Sequence, residues 1–142
     1  MKKFSKPTLI IHLILSISIF SACGDDDDKD TVAPVITLLK PETSDRFIRG
    51  GVITINANVS DNEKLKEMEL SLSVLKSAKG IDTPWTPEIQ KIPLNGKEQQ
   101  IRNIIAFSEI PNDIMSGTYT LSIKVNDLAG NTVKTSVNIT IE

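Results

Sequence analysis

Four stretches of the chain alternate apolar and polar residues with a period of two. In residues 52–60, Ile53, Ile55, Ala57 and Val59 alternate with Thr54, Asn56, Asn58 and Ser60. In residues 67–75, Met68, Leu70, Leu72 and Val74 alternate with Glu67, Glu69, Ser71 and Ser73. Tyr119, Leu121, Ile123 and Val125 do the same within residues 118–125, and Val133, Val137, Ile139 and Ile141 share a face of residues 132–141. Successive side chains of a strand point to opposite faces, so this pattern predicts strands with one face buried and one wet. No stretch carries a convincing apolar stripe at helical spacing.

Three weaker strands are expected at residues 35–39, 85–92 and 99–107. About seven strands in some 110 residues, separated by turns, predict an all-β fold: an antiparallel β-sandwich of immunoglobulin type. The clearest turn lies in residues 125–132, where Asn126 and Asp127 initiate and Gly130 takes the positive φ that closes it. Gly50-Gly51 and Asn95-Gly96 mark two more.

The residues at these turns carry a family resemblance. Ala33-Pro34-Val35-Ile36, then Val59-Ser60-Asp61-Asn62, then Gly117-Thr118-Tyr119-Thr120-Leu121 leading to Asp127-Leu128-Ala129-Gly130-Asn131, look like bacterial immunoglobulin-like modules. More narrowly, the chain resembles the lipoprotein family called domain of unknown function 4625, over nearly all of residues 31–142. The resemblance implies the sandwich fold and no particular activity. Many members of that family carry histidines after the third strand; this chain has none there, so a metal role resting on them does not transfer. Tyr119 opens the penultimate strand, where such folds often place a tyrosine bonded back to the preceding corner, here residues 111–117. A plain core aromatic is the other reading.

The N-terminus has a different character. Lys2, Lys3 and Lys6 precede an apolar run from Leu9 to Phe20 that is broken only by His12, Ser16 and Ser18. That run suits the apolar region of a secretory signal and is short for a bilayer span. Phe20-Ser21-Ala22-Cys23 resembles the lipobox of bacterial lipoproteins, with Phe20 in place of the usual Leu. The resemblance implies cleavage before Cys23 and a covalent lipid on its sulfur. Cys23 is the only cysteine, so no intrachain disulfide exists to explain it. The expected organisation is a signal peptide at 1–22, a lipidated acidic tether at 23–32 and a sandwich domain at 33–142.

Charge separates tether from domain. Without residues 1–22 the chain keeps 13 basic and 18 acidic residues, a formal charge of −5, of which residues 25–30 supply −4. The run Asp25-Asp26-Asp27-Asp28-Lys29-Asp30 reads as a solvated spacer. It also resembles the address that sends Bacteroidota lipoproteins to the outer face of the outer membrane, so the expected location is the outer membrane, facing the cell exterior. The domain itself is nearly neutral and offers no basic face for nucleic acid.

With His12 lost in the signal peptide, the mature chain has no histidine. That removes Ser-His-Asp and Cys-His catalysis and imidazole metal sites, and acylation of Cys23 removes thiolate ligands. Glu67 and Glu69 share a strand face about 7 Å apart, at a rise of about 3.3 Å per residue. That distance overlaps an inverting glycosidase pair, but an ordinary wet face explains it better. Calcium needs hard oxygen ligands, and Asp61, Asn62, Glu63, Asn126 and Asp127 lie at strand ends that a sandwich brings to one end. Asp and Asn are also the default turn residues. Trp85, between Pro84 and Pro87 in the irregular segment 76–94, either closes the sandwich edge or, if exposed, anchors a partner or stacks on a sugar; burial is the favoured reading.

These features predict a non-catalytic cell-surface interaction module, accessory to an outer-membrane uptake or adhesion complex. A carbohydrate- or calcium-dependent ligand-binding domain is the alternative. The partners implied are the membrane, through the lipid, and an outer-membrane protein or surface glycan.

Overall fold

A computed structural model describes residues 29–77 and 83–142. The expected signal peptide at 1–22, Cys23, residues 24–28 of the expected tether and residues 78–82 of the irregular segment lie outside the described residues. The described residues form eight strands and no helix: β1 (Val35–Lys40), β2 (Arg46–Phe47), β3 (Ile53–Ser60), β4 (Leu65–Ser77), β5 (Gln90–Pro93), β6 (Glu98–Ala106), β7 (Gly117–Asp127) and β8 (Thr132–Ile141). They pair into a three-stranded sheet, β1-β3-β6, and a five-stranded sheet, β2-β8-β7-β4-β5. All pairings are antiparallel except the parallel β2–β8 contact. This is the immunoglobulin-like sandwich that the alternation predicts.

The alternation is realised residue by residue. Ile53, Ile55, Ala57 and Val59 of β3 are buried, as are Met68, Leu70 and Leu72 of β4 and Tyr119, Leu121, Ile123 and Val125 of β7. Val137, Ile139 and Ile141 of β8 join them. These inward rows from opposed sheets form one core, which is the dominant stabilising term because it removes apolar surface from water. Their polar neighbours stay at least partly exposed.

Two elements differ from the sequence expectation. The eighth strand, β2, has only two residues, too few to show any period. The strand expected at residues 85–92 forms only at Gln90–Pro93. Pro84 and Pro87 lack the N–H that a ladder needs, so pairing starts only beyond them. Pro93 is tolerated because β5 is an edge strand.

Trp85 sits before β5 and is 8% exposed, packed edge-to-face on Phe107 with ring centroids 5.8 Å apart. It closes the sandwich edge, which corrects its candidacy as an exposed partner anchor. Tyr119, fully buried, donates its hydroxyl to the Met115 carbonyl at 2.6 Å and accepts from the Trp85 N–H at 3.3 Å. Of the two readings of Tyr119, the corner hydrogen bond is the one realised.

Candidate metal centre

The inward rows of β3 and β7 do not stop at their last apolar residue. Counting in twos, Val59 is followed by Asp61 and Val125 by Asp127. Two carboxylates therefore arrive over the end of the core, one from each sheet. Asp127 is only 1% exposed. The third carboxylate comes from Asp30, five residues before β1. One carboxylate oxygen from each of Asp30, Asp61 and Asp127 lies within 4.8 Å of the other two.

Each carboxylate is aimed by its own loop. Asp61 Oδ1 accepts the amides of Glu63 at 3.0 Å and Lys64 at 2.7 Å. Asp127 Oδ1 accepts those of Gly130 at 2.6 Å and Asn131 at 2.7 Å, and its Oδ2 accepts Asn131 Nδ2 at 2.7 Å. Gly130 has φ +96°, a conformation an L side chain rarely adopts, and it lets this loop fold back onto the carboxylate. Asp30 Oδ1 accepts the Val32 amide at 3.0 Å and Asn62 Nδ2 at 2.9 Å, and Asn131 Nδ2 reaches the Asp30 carbonyl at 3.0 Å. The Asn62 bond, then the Val32 amide, hold the Asp30 carboxyl below its ordinary range.

The five residues singled out from sequence thus divide. Asp61 and Asp127 meet. Asn62 stands one shell out, orienting Asp30. Glu63 is exposed and enters through its backbone amide alone. Asn126, on the opposite face of β7, turns its amide to Glu67 at 3.2 Å and Glu69 at 3.4 Å. Asp30, read from sequence as the last charge of a spacer, is the member that sequence reasoning missed.

Residues 21–142 match the model of a family described as domain of unknown function (DUF4625). The chain belongs to this family. No curated protein matches the DUF4625 chain. Among solved structures, it is similar to a fibronectin(III)-like module of CbhA from Clostridium thermocellum, at 14% identity and a TM-score of 0.45, over 75% of this chain and 94% of the module.

The other acidic pair of this DUF4625 domain has a structural partner set. Glu67 and Glu69 lie on the outer face of β4, where Lys91 Nζ stands 3.7 Å and 3.2 Å from them and Lys124 Nζ 3.6 Å from Glu69. The Lys91 hydrogen bond is the main cause that lowers the Glu69 pKa, with Lys124 and the Lys91 charge adding to it against the cost of desolvation. A general acid needs the opposite shift. Because the folded-state pKa is the lower one, Glu69 adds stability above its unfolded pKa and loses it as pH falls through the folded value. Carboxyl-detected NMR titration should place the Glu69 midpoint below the ordinary glutamate range and move it upward in Lys91→Ala. A midpoint indifferent to that substitution contradicts the pairing.

Proposed function

We propose that this DUF4625 protein is a non-catalytic interaction module held at the outer membrane by lipid on Cys23 and exposed to the cell exterior, accessory to an uptake or adhesion complex. The observation that carries the non-catalytic reading is the state of Glu67 and Glu69. The carboxylate pair whose strand spacing overlaps a glycosidase pair is tied to two lysines, with Glu69 held ionised. An immunoglobulin-like sandwich on an acidic, lipidated stalk suits presentation to a partner.

A second reading is a calcium- or carbohydrate-dependent ligand-binding domain. The convergence of Asp30, Asp61 and Asp127 favours its calcium branch. Its carbohydrate branch loses the stacking surface that an exposed Trp85 would have offered, since that ring is in the core.

Crosslinking on living source cells, followed by purification of the tagged chain, tests the accessory role. One stoichiometric outer-membrane transporter or adhesin is the expected catch; a catch with no specific protein sinks that role. Anchoring is tested separately. Cys23→Ala is expected to lose lipid labelling and to leave the membrane fraction, and a variant that stays with membranes contradicts a lipid anchor at this position.

A further inference from the structure

We infer that Asp30, Asp61 and Asp127 form a calcium site in which one ion joins the end of the acidic tether to both sheets of the sandwich. The site does not depend on what the module binds, so it stands or falls separately from the accessory role.

Calcium holds oxygen ligands at 2.3–2.6 Å, so two oxygens on one ion are at most about 5 Å apart. The three carboxylates meet that limit together. They also come from three separate segments, which only the folded chain brings to one place.

Asp30 Oδ2 and Asp61 Oδ2 are sealed from solvent and have no hydrogen-bond donor. Buried polar atoms nearly always have a partner, and an ionised carboxylate oxygen shut away without one is costly. In both residues Oδ1 is fully engaged with loop donors, which fixes the direction of the other oxygen. Such outer contacts are what orient ligands in metal sites.

Among the described residues, none of the ion pairs within 4 Å involves Asp30, Asp61 or Asp127. Lys97, the nearby cation with a defined contact, donates its Nζ to the Asn62 carbonyl at 2.7 Å. A divalent cation with a taste for oxygen meets both the charge and the orphaned atoms. Calcium takes six to eight ligands. Water entering from the adjoining cavity of about 410 Å³, lined by Asp30, Glu63, Lys64, Lys97, Leu128 and Ala129, completes the set.

One ligand belongs to the tether, so ion binding and tether docking are coupled and each favours the other. The sequence supplies its own reporter. Asp25-Asp26-Asp27-Asp28-Lys29 is the recognition sequence of enteropeptidase, which cuts after the lysine, at the Lys29–Asp30 bond. A protease must draw both flanking residues into its cleft, and Asp30 bound to the ion is withheld.

The experiment uses the mature lipoprotein in detergent, with calcium chloride or EGTA as the only variable. Wild type should bind about one radioactive calcium per chain, and calcium should raise its melting temperature by about 5–10 °C. Enteropeptidase cleavage should slow at least about tenfold in calcium, in proportion to the undocked fraction. Asp61→Asn keeps an oxygen for the Glu63 and Lys64 amides. It should melt near wild type in EGTA yet lose the calcium response and be cut equally fast in both buffers. Failure of wild type to bind calcium overturns the site. Binding without protection of the Lys29–Asp30 bond overturns the place of Asp30 in it. A normal calcium response in Asp61→Asn overturns the ligand set.

Discussion

Tyr119→Ala is expected to lower the unfolding free energy by about 3–5 kcal/mol, the usual range for emptying a large buried aromatic site. A domain of this size is stable by only about 5–15 kcal/mol, so the variant should sit near the edge of folding. Tyr119→Phe separates the two parts of that loss. The ring stays, while the Met115 carbonyl and the Trp85 amide lose their partner in a buried place. That should cost about 1–3 kcal/mol. The hydroxyl ties the corner before β7 to the segment that carries Trp85, so Trp85 fluorescence should shift in the phenylalanine variant before global unfolding. Urea denaturation with circular dichroism gives both free energies. A phenylalanine variant as stable as wild type would reduce Tyr119 to a plain core aromatic.

The second large effect is expected at Asp127. Its carboxylate accepts three hydrogen bonds within its own loop, all between 2.6 and 2.7 Å, from a nearly buried position. Asp127→Ala removes them and leaves the Gly130 and Asn131 amides short of acceptors. Bonds to a charged group are worth about 1.5–3 kcal/mol each. Against that, the substitution also relieves repulsion from Asp30 and Asp61. Three bonds to a charged group are lost at once, so their loss should win. A net cost of about 2 kcal/mol in chelator is expected, with a larger gap to wild type in calcium. Thermal melts in the two buffers resolve the two roles. An alanine variant as stable as wild type in chelator contradicts the loop-organising role, and one that calcium still stabilises contradicts the metal role.

How far the sequence could be read follows from where period-two alternation persists. It placed β3, β4, β7 and β8 to within a few residues because each buries one face against the opposite sheet. It missed β2, whose two residues hold no period, and it began β5 too early because an apolar cluster containing two prolines resembles a strand until the missing amides are counted. Asp61 and Asp127 were legible as loop acids. The stronger signal was that each continues the inward row of its strand by one step, past Val59 and Val125, to a position where a charge is unexpected. Asn126 shares the turn but not the row, and it faces the other way. Asp30 was not legible. It is chemically the same as the four aspartates before the lysine, and only the folded path from residue 29 to β1 distinguishes it.

The direction of β1 has a mechanical consequence. The chain enters the domain at the end occupied by Asp61 and Asp127, and β1 runs from there toward the opposite end, paired with β3 from Val35↔Ser60 to Lys40↔Asn56. Antiparallel ladder bonds lie across the strands. A partner gripping the far end and pulling against a fixed stalk would therefore load these rungs in shear, all at once, instead of peeling them one by one from a free end. Such a module would transmit tension along its long axis and yield far more readily to a sideways pull on β1. Attachment to a moving or flowing surface is where that difference in strength would be felt.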